Sequence, residues 1–154
     1  YGFEIQSTES GVQAIPGNKQ YLKVKVIPYL SETLAMYVQQ VISQNSMTKT
    51  NAAQIGMNVL FWENFAKKNP NHPLAVDAQQ RFKTNLPLLL LGTEQKPFFQ
   101  DGQIESTYPV VYNQIIMKEG DSQVTPILLK YLDVLKKNGF KRTEAVDAFL
   151  KQYM

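Results

Sequence analysis

Between Thr50 and Lys68 the chain carries apolar residues at two separate helical spacings, and this doubled pattern restricts the fold more than any other stretch. Ala52, Ile55, Val59, Trp62 and Ala66 fall on one face of a helix, while Met57, Leu60, Phe61 and Phe65 gather elsewhere on the same wheel. A helix with one apolar side lies on a core. A helix with two must be enclosed by neighbours, or must offer its second side to a partner. The spacing therefore predicts a bundle built around 50–68, with Met57, Leu60, Phe61 and Phe65 as candidate interface residues. Lys67 and Lys68 suit the negative end of this helix, and "NPNHP" stops it.

The helical period continues on both sides. Leu34, Val38, Val41 and Ile42 form a stripe after Ser31, a suitable N-cap. Downstream, the only histidine, His72, stands between Pro70 and Pro73. Pro73 suits the first position of a helix, which places His72 or Asn71 at the cap and makes the imidazole punctuation rather than chemistry. Asp77, five residues on from His72, does not share its face. Leu74, Ala78 and Phe82 supply the stripe of that helix, which is expected to end before Pro87, with "LPLLLLG" as a short buried turn closed by Gly92. The set Phe65, Pro70, Pro73, Ala75 and Ala78 resembles the helix-to-helix junction in tetratricopeptide-like repeats of bacterial envelope lipoproteins. No second copy follows at a spacing of about 34 residues, so the resemblance implies a shared way of joining two antiparallel helices and not family membership. Near the end, Leu128, Tyr131, Leu132 and Leu135 share a face. Gly139 supplies a left-handed stop on which Phe140 is expected to fold back, and Thr143 caps a last helix carrying Val146, Phe149, Leu150 and Tyr153.

Two stretches read as extended. "YLKVKVI" alternates in period two and is expected to pair with "FEIQ" as a small N-terminal antiparallel hairpin, with Pro16 and Gly17 in a type II turn and "GVQAI" as a third-strand candidate. "TEQKPFFQDGQIEST" has the composition of a long loop, and its adjacent Phe98 and Phe99 join the candidate interface residues. Asp101 and Gly102 read as a turn, since the segment lacks the alternating oxygen ligands of a calcium loop. "TYPVVYNQIIMKEG" suits a helix with Pro109 in its first turn and a strand nearly equally.

The 154 residues bound the rest. They fit a single domain, 1–154, divided into a hairpin region 1–28 and a helical region 31–154 of five to six helices, a mainly α fold with a small sheet (α+β). Cysteine is absent, which removes disulfides and thiolate chemistry together. Six basic residues against five acidic ones up to Asp77, and ten against eight beyond, leave no basic arm to neutralise phosphates, so nucleic acid is a poor partner. Lys136, Lys137, Lys141 and Arg142 cluster near a helix end they would stabilise, and Glu144 and Asp147 stand where a recognition helix would meet DNA. The longest apolar run, Leu86 to Leu91, falls far short of the ~20 residues of a membrane span. No nucleophile elbow, phosphate loop or zinc-binding helix is written in the chain. Glu63, beside Trp62, is expected on a wet face paired with Lys67. The reading is thus a non-enzymatic protein-interaction module, with no catalytic residue, metal site or cofactor assigned. Its partner is another protein or a second copy, and its role that of an envelope inhibitor, immunity or assembly factor. A hydrolase with an unrecognised carboxylate site and a nucleic-acid regulator are the alternatives. The start at Tyr1 and the many Gln and Asn residues tilt the expected location toward periplasmic or secreted.

Overall fold

The computed structural model describes residues 3–8, 11–16, 19–45 and 51–154. The chain divides into two compact units, Tyr1–Thr48 and Lys49–Met154, and is mainly helical.

In the first unit, β1 (Phe3–Thr8) pairs antiparallel with β2 (Gly11–Pro16). The expected strand at 21–27 does not form: α1 (Lys19–Tyr21) runs on through a π-helical turn, Leu22–Val26, and a 3-10 turn, Ile27–Tyr29. Leu22, Val26, Ile27 and Leu30 also satisfy a helical spacing, and this period wins because it gathers them against Ile42, Ala35 and Val38 of α2 (Glu32–Asn45). Val24, inward in the strand reading, is exposed. The expected turn at Pro16 and Gly17 extends beyond the described residues.

The second unit opens with α3 (Ala52–Lys68), whose Asn51 and Gln54 close a reciprocal capping box. It packs along α4 (Ala75–Leu91), which starts later and ends later than the prolines suggested. Pro73 falls in the turn before the helix, where His72 Nδ1 accepts the Leu74 N–H at 3.2 Å. Pro87 lies inside α4. Its missing N–H frees the carbonyl of Lys83 on the exposed side of the helix, and burial of Leu86, Leu89 and Leu90 outweighs the loss. His72→Asn, whose Oδ1 can accept the same N–H, should move the unfolding free energy by no more than about 0.5 kcal/mol. A larger loss in urea titration would show that the ring edge against Phe65, 5.9 Å away, matters more than the cap.

Beyond α4 the small sheet of the helical unit is a hairpin of β3 (Phe99–Gln100) and β4 (Gln103–Ile104), at 99–104 and not at the N-terminus. Asp101 and Gly102 turn it with φ of 51° and 76°, the positive values of a two-residue hairpin loop. The segment 107–118 is helical, α5 (Thr107–Lys118), because Tyr108, Val111, Tyr112 and Ile115 bury one helical face. Then α6 (Val124–Lys137) and α7 (Glu144–Leu150) pack as consecutive helices. The turn between them carries the Schellman bonds: Gly139 N–H to Lys136 O, and Phe140 N–H to Leu135 O. Phe140, at φ of 57°, is 47% exposed, while Leu135 is fully buried.

The last carbonyls of α4 have no partner within the helix, and the sequence supplies donors from elsewhere. Leu89 O accepts the Tyr112 hydroxyl at 2.7 Å, Leu90 O accepts the Tyr131 hydroxyl at 3.2 Å, and Leu91 O accepts the Phe98 N–H at 2.8 Å. Tyr108 donates to Lys96 O at 3.1 Å. Burial pushes the Tyr108 hydroxyl up to about 12, with the Glu105 carboxylate adding to it. Burial also raises Tyr112 and Tyr131 above the usual phenol range. The unfolded chain ionises these groups near pH 10.0 and the folded chain holds their protons longer, so the unfolded state binds fewer protons above that pH. Stability should therefore be full below pH ~10 and fall above it, by up to about 1.4 kcal/mol per pH unit for each such tyrosine. Urea titrations across this range should give a shallower decline for Tyr112→Phe; an unchanged slope would contradict the assignment.

Candidate functional site

The second apolar side of α3 is where the sequence placed its candidate surface, and the structure separates the candidates. Phe65 is 4% exposed and Phe98 fully buried, so both belong to the core. Phe98 sits among Phe99, Tyr108, Tyr112 and Tyr131, with ring centroids 4.8 to 5.8 Å away. Phe99 is half-buried against it, away from α3 in the chain. Met57 is 61% exposed, and Leu60 and Phe61 are half-buried. Phe61 is held by Trp62, edge-on at 4.9 Å, and by Phe65, stacked at 6.1 Å.

Met57 and Leu60 line an open groove of about 270 Å³ between α3 and α5, with Ala53 and Gly56 on one wall and Val111, Gln114, Ile115 and Lys118 on the other. Gly56 lets the two helices approach. A Cβ there would stand 3.1 Å from Ile115 Cδ1 and 3.2 Å from Val111 Cγ1. On α5, Val110 and Met117 are exposed to either side of Gln114 in sequence.

Glu63 and Lys67 are not a wet ion pair. Glu63 is 6% exposed, accepts the Ser122 hydroxyl, and takes the Gln123 N–H at 2.7 Å. Lys67 Nζ donates to Asp121 O at 3.2 Å. One helical turn of α3 thus clamps the loop that leads into α6, and the carboxylate meets donors at the start of that helix, where negative charge is favoured. A cleft of about 560 Å³ opens beside this clamp, lined by Phe82 and Lys83 of α4 as well as Glu63, Lys67 and Asp121. Both oxygens of Glu63 are engaged by the loop, which gives the carboxylate a structural task. Sequence periodicity could not find this contact, since the residues are about sixty positions apart.

Among the described residues, no group of three His, Asp or Glu side chains could hold a metal, and no helix is long and apolar enough to cross a membrane. The lysine cluster near Gly139 is partly paired, Lys137 with Asp133 at 2.7 Å and Arg142 with Asp147 at 2.8 Å. Compared with protein-family models, curated proteins and solved structures, the chain matches none.

Proposed function

We propose that the chain is a non-enzymatic protein-interaction module that binds through the groove between α3 and α5, in the manner of an inhibitor, immunity or assembly factor of the cell envelope. One observation supports this reading above the others: Met57, in the middle of a long helix, is 61% exposed and lines an open groove with half-buried Leu60, and half-buried Phe61 follows one residue on. Met and aromatic side chains grouped in this way are enriched at interfaces and depleted elsewhere on protein surfaces. The engagement of Glu63 by the loop before α6 weighs against the hydrolase alternative.

The test removes the patch without touching the core. The double substitution Met57→Ser, Leu60→Ser should change the unfolding free energy by less than about 1.5 kcal/mol, because neither side chain is buried. It should abolish binding to a partner, or self-association seen in sedimentation. Phe65→Ser serves as the contrast and should destabilise by several kcal/mol, about 3 or more. Retained association in the double variant would rule the groove out.

A further inference from the structure

We infer that Asn138 is a self-deamidation site that the turn between α6 and α7 holds shut, so that its reaction follows the opening of that turn. This stands apart from the groove and uses none of its residues.

Asn138 and Gly139 form the only Asn-Gly pair of the chain. The pairing matters because the main-chain nitrogen after an asparagine can attack the carbonyl carbon of that side chain, and glycine has no Cβ to obstruct the approach. In the reaction the Gly139 nitrogen gives up its proton to hydroxide and bonds to Asn138 Cγ, while the Cγ–Nδ2 bond breaks and Nδ2 leaves as ammonia. Water then opens the five-membered imide at either carbonyl, leaving aspartate or isoaspartate. Nothing beyond water and hydroxide is required. Solvent reaches the pair, since Gly139 is exposed and Asn138 half-buried.

The folded turn withholds each part of this step. Asn138 has ψ of 18°, so the Gly139 nitrogen nearly eclipses Asn138's own nitrogen and stands away from Cβ, whereas the ring needs it on the side of Cβ. The side chain is tied at both ends. Nδ2 donates to Val134 O at 2.8 Å, and Oδ1 accepts the Thr143 hydroxyl at 2.8 Å. The nucleophile is engaged as well, because Gly139 N–H donates to Lys136 O at 3.2 Å. Ring closure must therefore rotate the Asn138 main chain away from its helical turn and release the side chain from Val134 and Thr143. The Thr143 hydroxyl links this lock to α7, since the same oxygen accepts the Val146 N–H at 3.4 Å as the cap of that helix. A chain that has reacted lacks the Nδ2 donor and carries a carboxylate at the carbonyl end of α6, where negative charge is disfavoured.

The experiment incubates the whole chain at mildly alkaline pH, folded and in guanidinium chloride, and follows the fragment containing Asn138 by mass and by isoaspartate content. The folded chain should convert at least about tenfold more slowly than the unfolded one. Thr143→Val removes the tie to Oδ1 and the cap together, and should speed conversion of the folded chain about fivefold without changing the rate in guanidinium; Thr143→Ser, which keeps the hydroxyl, should convert like the parent. Gly139→Ala should slow conversion in guanidinium, where folding plays no part. Equal rates for the folded and unfolded parent overturn the inference, and so does Thr143→Val reacting at the parent's rate when folded. An unfolded chain in which Gly139→Ala makes no difference also overturns it, because the nucleophile is then not this nitrogen. If Thr143→Val does not fold, the ratio of the parent's two rates and the Gly139→Ala comparison decide.

Discussion

Gly92→Ala should destabilise the protein by more than about 4 kcal/mol, a loss that leaves most single domains largely unfolded. Gly92 closes α4 with φ of 80° and ψ of −170°, a backbone region that side chains do not tolerate. A Cβ at this position would also stand 2.4 Å from Lys96 O and 2.4 Å from Phe98 N. These are backbone atoms, so no rotamer change relieves the clash. Moving them would break the bond from Phe98 N–H to Leu91 O and unseat the Phe98 ring from the core. Gly102→Ala provides the control, because Gly102 has φ of 76° but nothing within 4 Å of its added Cβ. It should cost only about 1 kcal/mol. Urea unfolding of the two variants separates conformational strain from collision; equal losses would mean that the Gly92 clash relaxes.

The second large effect is expected at the ring itself. Phe98→Ala should cost about 3 to 5 kcal/mol, since the side chain is fully buried and removing it leaves a cavity walled by Tyr108, Tyr112 and Tyr131. Those tyrosines are fixed by hydrogen bonds to Lys96 O, Leu89 O and Leu90 O and are poorly placed to collapse inward. Phe98→Leu, which keeps part of the volume, should cost less. A loss under about 1 kcal/mol for the alanine variant would indicate that α5 and α6 close the gap.

Much of the helical architecture was legible from periodicity, and the failures have identifiable physical causes. The stripe Ala52, Ile55, Val59, Trp62 and Ala66 is buried as its spacing predicts, and of Leu128, Tyr131, Leu132 and Leu135 all but the half-buried Leu132 are, because long regular patterns commit a helix face. "YLKVKVI" was too short to decide between periods, and tertiary burial of Leu22 and Ile27 decided for helix. Pro87 misled because a proline rule is local, whereas the burial that carries α4 through it is not. The Asp-Gly pair at 101–102 reads as a turn from its residues, but strands of two residues each carry no period by which a sequence marks them as a hairpin. On α3, the doubled pattern marks a second apolar side, but the wheel alone does not tell exposed Met57 from buried Phe65. That distinction depends on where α4 and α5 lie. The clamp of Glu63 on Ser122 and Gln123 was beyond reach for the same reason.

The hydroxyl bonds from Tyr112 and Tyr131 to the end of α4 alter how that helix opens. Helix ends ordinarily fray first, exchanging their amide protons with solvent while the remainder stays folded. Here the last turn cannot loosen without also releasing a residue of α5 and one of α6, so its opening is tied to the opening of the helices around it. The amides of the last turn of α4 are therefore expected to exchange together with those of α5 and α6 rather than as a frayed end.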